Sequence, residues 1–209
     1  VQALDQALLK TGYLDDDQLR ELVLIYCLTD IYKNGSFHKP RVVNMFNKVA
    51  KDSPYPIHKR IIRNTLDVFN KLIPGSPAPN LKLMSIGGFE FELKNLRSKP
   101  VLLLFFNTGQ KITETYFDEL AELFNKFESG LEVISISMDN DPNAYKTLAN
   151  SGKYGWTFAH YGNNPNVYDL YDIREMPLFV LINVEGKIAR YPAPSPGPNL
   201  EREIMKVIH

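Results

Sequence analysis

The sequence predicts an α/β protein: a three-layer α/β/α domain over residues 74–209, preceded by an all-helical domain over residues 1–73. Three observations carry this reading. Val101 to Phe106 is an unbroken apolar run between Pro100 and Asn107, the mark of a central strand buried on both faces and therefore needing cover on both sides. Tyr116, Phe117, Leu120, Leu123, Phe124 and Phe127 then recur at three- and four-residue spacing, with Glu114, Asp118, Glu119 and Glu122 on the opposite side, so an amphipathic helix follows the strand. Ile73 to Pro79 holds three prolines in seven residues without apolar periodicity, and ahead of it every periodic segment reads as helix.

In the helical part, Leu4, Ala7, Leu8 and Leu9 mark a short first helix ended by Gly12. Asp15 to Asp17 supply a cap and favourable negative charge for a second, along which Leu19, Leu22, Val23, Tyr26, Cys27 and Ile31 run until Asn34-Gly35. Pro40 suits the first turn of a third helix carrying Val42, Val43, Met45, Phe46 and Val49. Ser53 to Pro56 breaks it, and a fourth follows with Ile57, Ile61, Leu66, Phe69 and Leu72. Short loops between four helices predict antiparallel neighbours, and the short Pro-rich connection predicts that they pack on the second domain.

Past the boundary, Leu81 to Met84 and Phe89 to Leu93 flank Gly87-Gly88, a hairpin signal, and Leu93 to Leu96 reads as a turn into the central strand. After the central strand and helix, Leu131 to Met138 is a second strand closed by Asp139 to Pro142. Tyr145 to Leu148 suggests a helical turn, Trp156 to Phe158 a short strand, and Val167 to Tyr171 another helix. Leu178 to Asn183 and Lys187 to Tyr191 form a hairpin around Glu185-Gly186, and Leu200, Ile204, Val207 and Ile208 close the chain as a helix.

This order, with Phe106-Asn107-Thr108 leading into the helix and Met176-Pro177 preceding a strand, resembles the thioredoxin fold over about residues 74 to 209. The branch it is similar to is that of the TlpA-type thiol-disulfide oxidoreductases and the AhpC/TSA family, and the helical preface resembles the segment before this domain in Bacteroidetes-type envelope proteins. Members carry Trp-Cys-x-x-Cys in the turn that opens the helix. Here that turn reads Gly109, Gln110, Lys111, Ile112, Thr113, so both cysteine positions are lost, to Gln110 and Thr113. Thiol-disulfide exchange needs a thiolate as the attacking group, and neither an amide nor a threonine hydroxyl can serve. The resemblance further implies a cis bond at Met176-Pro177 and a groove for extended polypeptide between Asn107, Thr108, Gly109, Gln110 and Lys111 on one side and Met176 and Pro177 on the other, with Trp156 and Tyr161 as aromatic neighbours.

The remaining features have plain readings. Basic and acidic residues are equal at 24 each, which argues against a broad nucleic-acid footprint. Cys27 is the one cysteine, so no intramolecular disulfide is possible; it sits among apolar residues and is expected to be buried and inert. His38, His58, His160 and His209 show no ligand spacing, and no metal or cofactor is expected. Asp139-x-Asp141 resembles the start of a calcium loop but lacks its glycine and terminal glutamate, leaving loop carboxylates. Gln110 reads as an exposed turn residue and Thr113 as a helix cap, or else as the rim of an anion- or carbonyl-binding helix terminus with Lys111. No 18-residue apolar span or secretory leader occurs, and the start at Val1 inside a helical pattern suggests a processed product or a fragment.

The expected function is that of a redox-inactive thioredoxin-like module that binds an extended polypeptide or another protein in a bacterial cell envelope, in the periplasm by resemblance. The rival is a working thiol-disulfide oxidoreductase in cell redox homeostasis, and a third possibility is an unrelated activity recruited onto the fold.

Overall fold

A computed structural model describes the chain except residues 1–5, 8, 11–15, 35, 36, 97, 128, 142 and 209 and the side chains of residues 111–113. It divides into two compact units, residues 1–70 and 71–209.

In the first unit, α1 (Asp17–Asn34), α2 (Lys39–Asp52) and α3 (Pro56–Lys71) surround one apolar core. The Leu19 amide donates to Asp16 Oδ1 at 2.8 Å, which caps α1, and Pro40 lies in the first turn of α2. The core joins Leu24, Leu28 and Tyr32 of α1 to Phe46 of α2 and Phe69 of α3, with the Tyr32 and Phe69 rings stacked at 3.6 Å. The expected buried row of α1 needs correction. Leu19, Leu22 and Tyr26 are exposed, while Leu24, Ile25, Leu28 and Tyr32 face inward. Cys27, expected to be buried, lies half-buried on the flank of that row. The cause is that α1 is apolar on nearly every side, so spacing alone does not select the inward face. On α3, Ile57 is exposed and His58 is buried instead, its Nδ1 lying 2.8 Å from Glu21 Oε1 on α1. The expected first helix, its Gly12 stop and Asp15 fall largely outside the described residues.

The second unit is built on a seven-stranded mixed sheet in the order β2-β1-β5-β4-β3-β6-β7. The strands are β1 (Lys82–Ser85), β2 (Glu90–Glu92), β3 (Val101–Phe106), β4 (Glu132–Ser137), β5 (Thr157–His160), β6 (Leu178–Ile182) and β7 (Ile188–Ala193). β3, β4 and β5 run parallel, and β6 and β7 return antiparallel on one side, as β1 and β2 do on the other. Parallel neighbours need crossovers. Among the helices, α4 (Lys111–Phe127) connects β3 to β4, α5 (Lys146–Ala149) lies between β4 and β5, and α6 (Asn166–Leu170) between β5 and β6; α7 (Pro198–Ile208) closes the chain.

Every residue of β3 is buried, as its apolar run requires. Its alternate residues serve two cores: Leu102, Leu104 and Phe106 meet Phe117, Leu120 and Phe124 of α4 and Leu200 and Ile204 of α7, while Val101, Leu103 and Phe105 meet Leu81, Val167 and Tyr171. The layers are therefore helix, sheet, helix. Gly88 takes a φ of +79° in the β1–β2 turn, a conformation that favours glycine. The Pro-rich segment pairs with the sheet edge: Gly75 and Ala78 donate to Ile188 and Gly186 carbonyls at 2.8 and 2.9 Å, and the Ile188 amide donates to Ser76 O. Residues 75–78 thereby cover part of the exposed rim of β7.

Candidate functional site: the turn at the end of the central strand

β3 ends at Phe106, and Asn107 to Gln110 turn the chain into α4. The register fixes what flanks this turn. Phe105 pairs with Leu178 in antiparallel β6, so continuing the ladder sets Pro177 and Met176 level with Phe106 and Asn107. On the other side Phe106 pairs with Ser137 of parallel β4, and the Met138 amide donates to Phe106 O at 2.9 Å. The turn thus stands between Met176-Pro177 and Met138-Asp139. The Met176-Pro177 bond is cis, as is Tyr191-Pro192. Asn107, Thr108 and Gln110 are half-buried and Gly109 is exposed, with open space where a side chain would start. Because α4 begins at Lys111, Gln110 occupies the cap position and Thr113 lies inside the first turn, not at the cap expected of it. The side chains of Lys111 and Thr113 are outside the described set.

The polar groups around the turn are tied to one another. The Thr108 amide donates to both oxygens of Asp139 at 3.2 and 3.3 Å, and its hydroxyl donates to Oδ1 at 3.1 Å. The buried Ser137 hydroxyl donates to Asp139 Oδ2 at 2.8 Å and accepts from the Asp139 amide at 3.2 Å. From β5, His160 accepts the Gly162 amide on Nδ1 at 3.0 Å. Its proton therefore sits on Nε2, which donates to the Asp139 carbonyl at 2.7 Å. His160 is only 3% exposed and lies between the rings of Tyr145 and Tyr161. A carboxylate that accepts three donors and an imidazole with both nitrogens engaged act here as framework rather than as a base.

No motif in the sequence marks Asp139 or His160 for this place. Asp139 had its signal in the loop pair with Asp141, yet the two do different work: Asp141 Oδ1 accepts the Asn143 amide at 2.8 Å in a local turn. Trp156, expected beside the groove, is corrected. It lies at the other end of β5, buried between Phe117, Phe124, Tyr154 and Phe158, with Nε1 donating to Ser135 Oγ at 2.8 Å. Tyr161 is also buried, with its hydroxyl 3.4 Å from Asn140 Oδ1. Tyr116 of α4, read only as a core position, is half-buried with its ring edge-on to Phe179 at the start of β6.

On the far side, Tyr191 of β7 donates to the Tyr171 and Asp172 carbonyls at 2.8 and 3.2 Å, and the Tyr171 hydroxyl donates to Pro79 O at 2.7 Å. These bonds hold the start of the loop that leads to Met176. Burial, with the Asp172 charge adding to it and Arg174 opposing, pushes the Tyr191 hydroxyl up to about 12. Asp172, at a φ of +42°, is itself raised by burial and then by Asp169. Among the described residues no group of three or more His, Cys, Asp or Glu side chains is placed to hold a metal ion, and no helix is long and apolar enough to cross a membrane.

A family model described as thioredoxin-like matches residues 98–188, the span from the entry to β3 through the start of β7. The thiol-disulfide oxidoreductase ResA of Bacillus thuringiensis is 31% identical over 120 residues, covering 56% of this chain and 68% of that protein. ResA of Bacillus subtilis is 31% identical over 118 residues; the chain spans 65% of its length. The chain belongs to the thioredoxin-like family of these thiol-disulfide oxidoreductases. Among solved structures, the thioredoxin domain of a thiol-disulfide oxidoreductase from Bacteroides vulgatus shares the fold at a TM-score of 0.60 and 23% identity, covering 66% of this chain and 99% of that one. A thioredoxin-like protein from Bacteroides caccae has a TM-score of 0.62 at 20% identity, covering 82% of this chain and 61% of the other.

Proposed function

We propose that this protein is a redox-inactive member of its family, a binding or scaffolding module of the bacterial cell envelope that takes extended polypeptide across Asn107 to Lys111 and Met176-Pro177. One observation carries the reading. The turn that carries two cysteines in the family this chain resembles holds Gln110 and Thr113 here, and the sole cysteine, Cys27, belongs to the other unit. Without a thiolate in the turn there is no attacking group for exchange. Main-chain recognition of an extended strand needs no cysteine, so binding survives the loss of chemistry. The commitment of Asp139 and His160 to internal bonds supports the same reading, because neither is offered as a base to a group in the turn.

The second reading, a thiol-disulfide oxidoreductase, is favoured by the activity named for the Bacillus relatives. Insulin reduction with dithiothreitol separates the two. The protein is expected to match a no-protein blank, and turnover well above it would establish the second reading. For binding, an unfolded-peptide library is expected to move the backbone amides of Gln110 to Thr113 and of Met176 together; no shifts, or shifts elsewhere, would leave the domain as a spacer.

A further inference from the structure

The C-terminal ends of three adjacent parallel strands meet beside the turn, and one residue links them. Thr108, just past β3, gives both its amide and its hydroxyl to the Asp139 carboxylate. Asp139, just past β4, is itself fixed twice, by the wholly buried Ser137 hydroxyl and by the Nε2–H of His160 at the end of β5. The chain from Gly162 through His160 and Asp139 to Thr108 thus ties the turn to the buried sheet. The turn itself has no cysteine, so no covalent closure is available to hold it.

We infer that Asp139 is the positioning residue of the groove, the group whose carboxylate holds Asn107 to Gln110 in the conformation that extended polypeptide meets. This rests on the binding reading above. Charge-assisted bonds to a carboxylate are about twice as strong as neutral ones, and three donors converge on this one. A binding wall held in place before the ligand arrives does not spend binding energy on being ordered. The geometry also dictates which change breaks it. An asparagine at 139 keeps the shape but offers one oxygen to three donors, and its amide nitrogen confronts either Thr108 or Ser137, donor against donor.

The test compares the full chain with Asp139→Asn and with Ser135→Ala. The second variant removes the partner of Trp156 Nε1 in the other core and serves as a control for loss of stability. Amide hydrogen exchange reads the turn, and affinity for reduced, carboxymethylated α-lactalbumin, an unfolded chain without thiols, reads the groove. Asp139→Asn is expected to speed exchange at Thr108 by about tenfold or more, with Leu103 and Leu104 in β3 unchanged, and to weaken binding by about tenfold. Ser135→Ala should change neither, whatever it does to Tm. Unchanged Thr108 exchange in Asp139→Asn overturns the inference, as does faster exchange with unaltered affinity, or an equal loss of affinity in Ser135→Ala. If the wild type does not bind the polypeptide, the functional reading falls, and the Thr108 exchange still upholds or overturns Asp139 as the group that holds the turn.

Discussion

The Tyr191 hydroxyl of β7 donates to the Tyr171 carbonyl at 2.8 Å and so joins the outer strand to the loop that carries Met176. Burial raises this phenol from about 10 to about 12, which means that the folded protein favours its neutral form. Its contribution to stability is therefore complete below pH 10 and is lost as pH rises from 10 toward 12. Tyr191→Phe should cost about 1 kcal/mol at neutral pH, the worth of one hydrogen bond. Above pH 10 the gap between wild type and variant should close, because only the wild type then has this phenol to ionise. Denaturant unfolding across that window checks it; a constant gap would mean that the phenol does not titrate with unfolding.

His160 gives a spectroscopic expectation. With the Gly162 amide donating to Nδ1 and the Asp139 carbonyl accepting from Nε2, the neutral ring is the Nε2–H tautomer. Nitrogen NMR of the imidazole near neutral pH should show the directly bonded proton on Nε2. A proton on Nδ1 would require the ring to be turned and the link from β5 to Asp139 to be absent.

Trp156 is the only tryptophan, and its surroundings make it a reporter of the core beneath α4. Phe117 is fully buried and its ring meets those of Phe106, Tyr154, Trp156 and Phe158. Phe117→Ala should cost about 3–5 kcal/mol and leave a cavity beside the indole. Ser135→Ala should cost about 1–3 kcal/mol by leaving the indole N–H without its acceptor. Urea unfolding followed by tryptophan fluorescence measures both, and a Phe117→Ala loss under 1 kcal/mol would contradict the packing described.

Cys27 gives a simple chemical check. It is half-buried on α1 and the chain holds no second thiol. A thiol reagent near neutral pH should therefore label it more slowly in the native protein than after denaturation, and the native rate should respond to stability. Native labelling as fast as that of the unfolded chain would place Cys27 on the open surface of α1.

How much of this was legible in the sequence depends on how distinct each pattern is. The run Val101 to Phe106, the spacing of Phe117, Leu120 and Phe124, and the glycines of the β1–β2 turn each fit one structure only, so the sheet, α4 and the hairpin could be placed. The inward face of α1 could not be read because Leu19, Leu22 and Tyr26 present as apolar a row as Leu24, Leu28 and Tyr32. Around the turn, the resemblance to the thioredoxin fold implied Met176-Pro177 beside Asn107, but Asp139 and His160 lie 31 and 52 residues from Thr108 in the chain. Their partnership depends on the parallel register of β3, β4 and β5, which has no local signal. Trp156 was misplaced for the opposite reason: a residue in a short strand can lie at either end of the sheet, and only the pairing of Thr157 with Ile134 decides which.

If the lack of cysteines at positions 110 and 113 is what separates this chain from exchange chemistry, placing them there should supply it. Position 110 stands at the cap of α4 and position 113 in its first turn, where the unpaired amides of a helix N-terminus lower a thiol's pKa and favour the thiolate. The double variant Gln110→Cys with Thr113→Cys should therefore gain dithiothreitol-dependent insulin reduction well above the wild type. Either single change should gain far less, because the first cysteine attacks and the second resolves the mixed disulfide. Gly109, where the resembled motif has tryptophan, faces open space, so Gly109→Trp should be tolerated in the same background without loss of fold. A folded double variant that forms its disulfide yet stays at the blank would show that the chain differs from its catalytic relatives by more than these two side chains; the first place to look would then be the framework of Thr108, Asp139 and His160 that holds the turn.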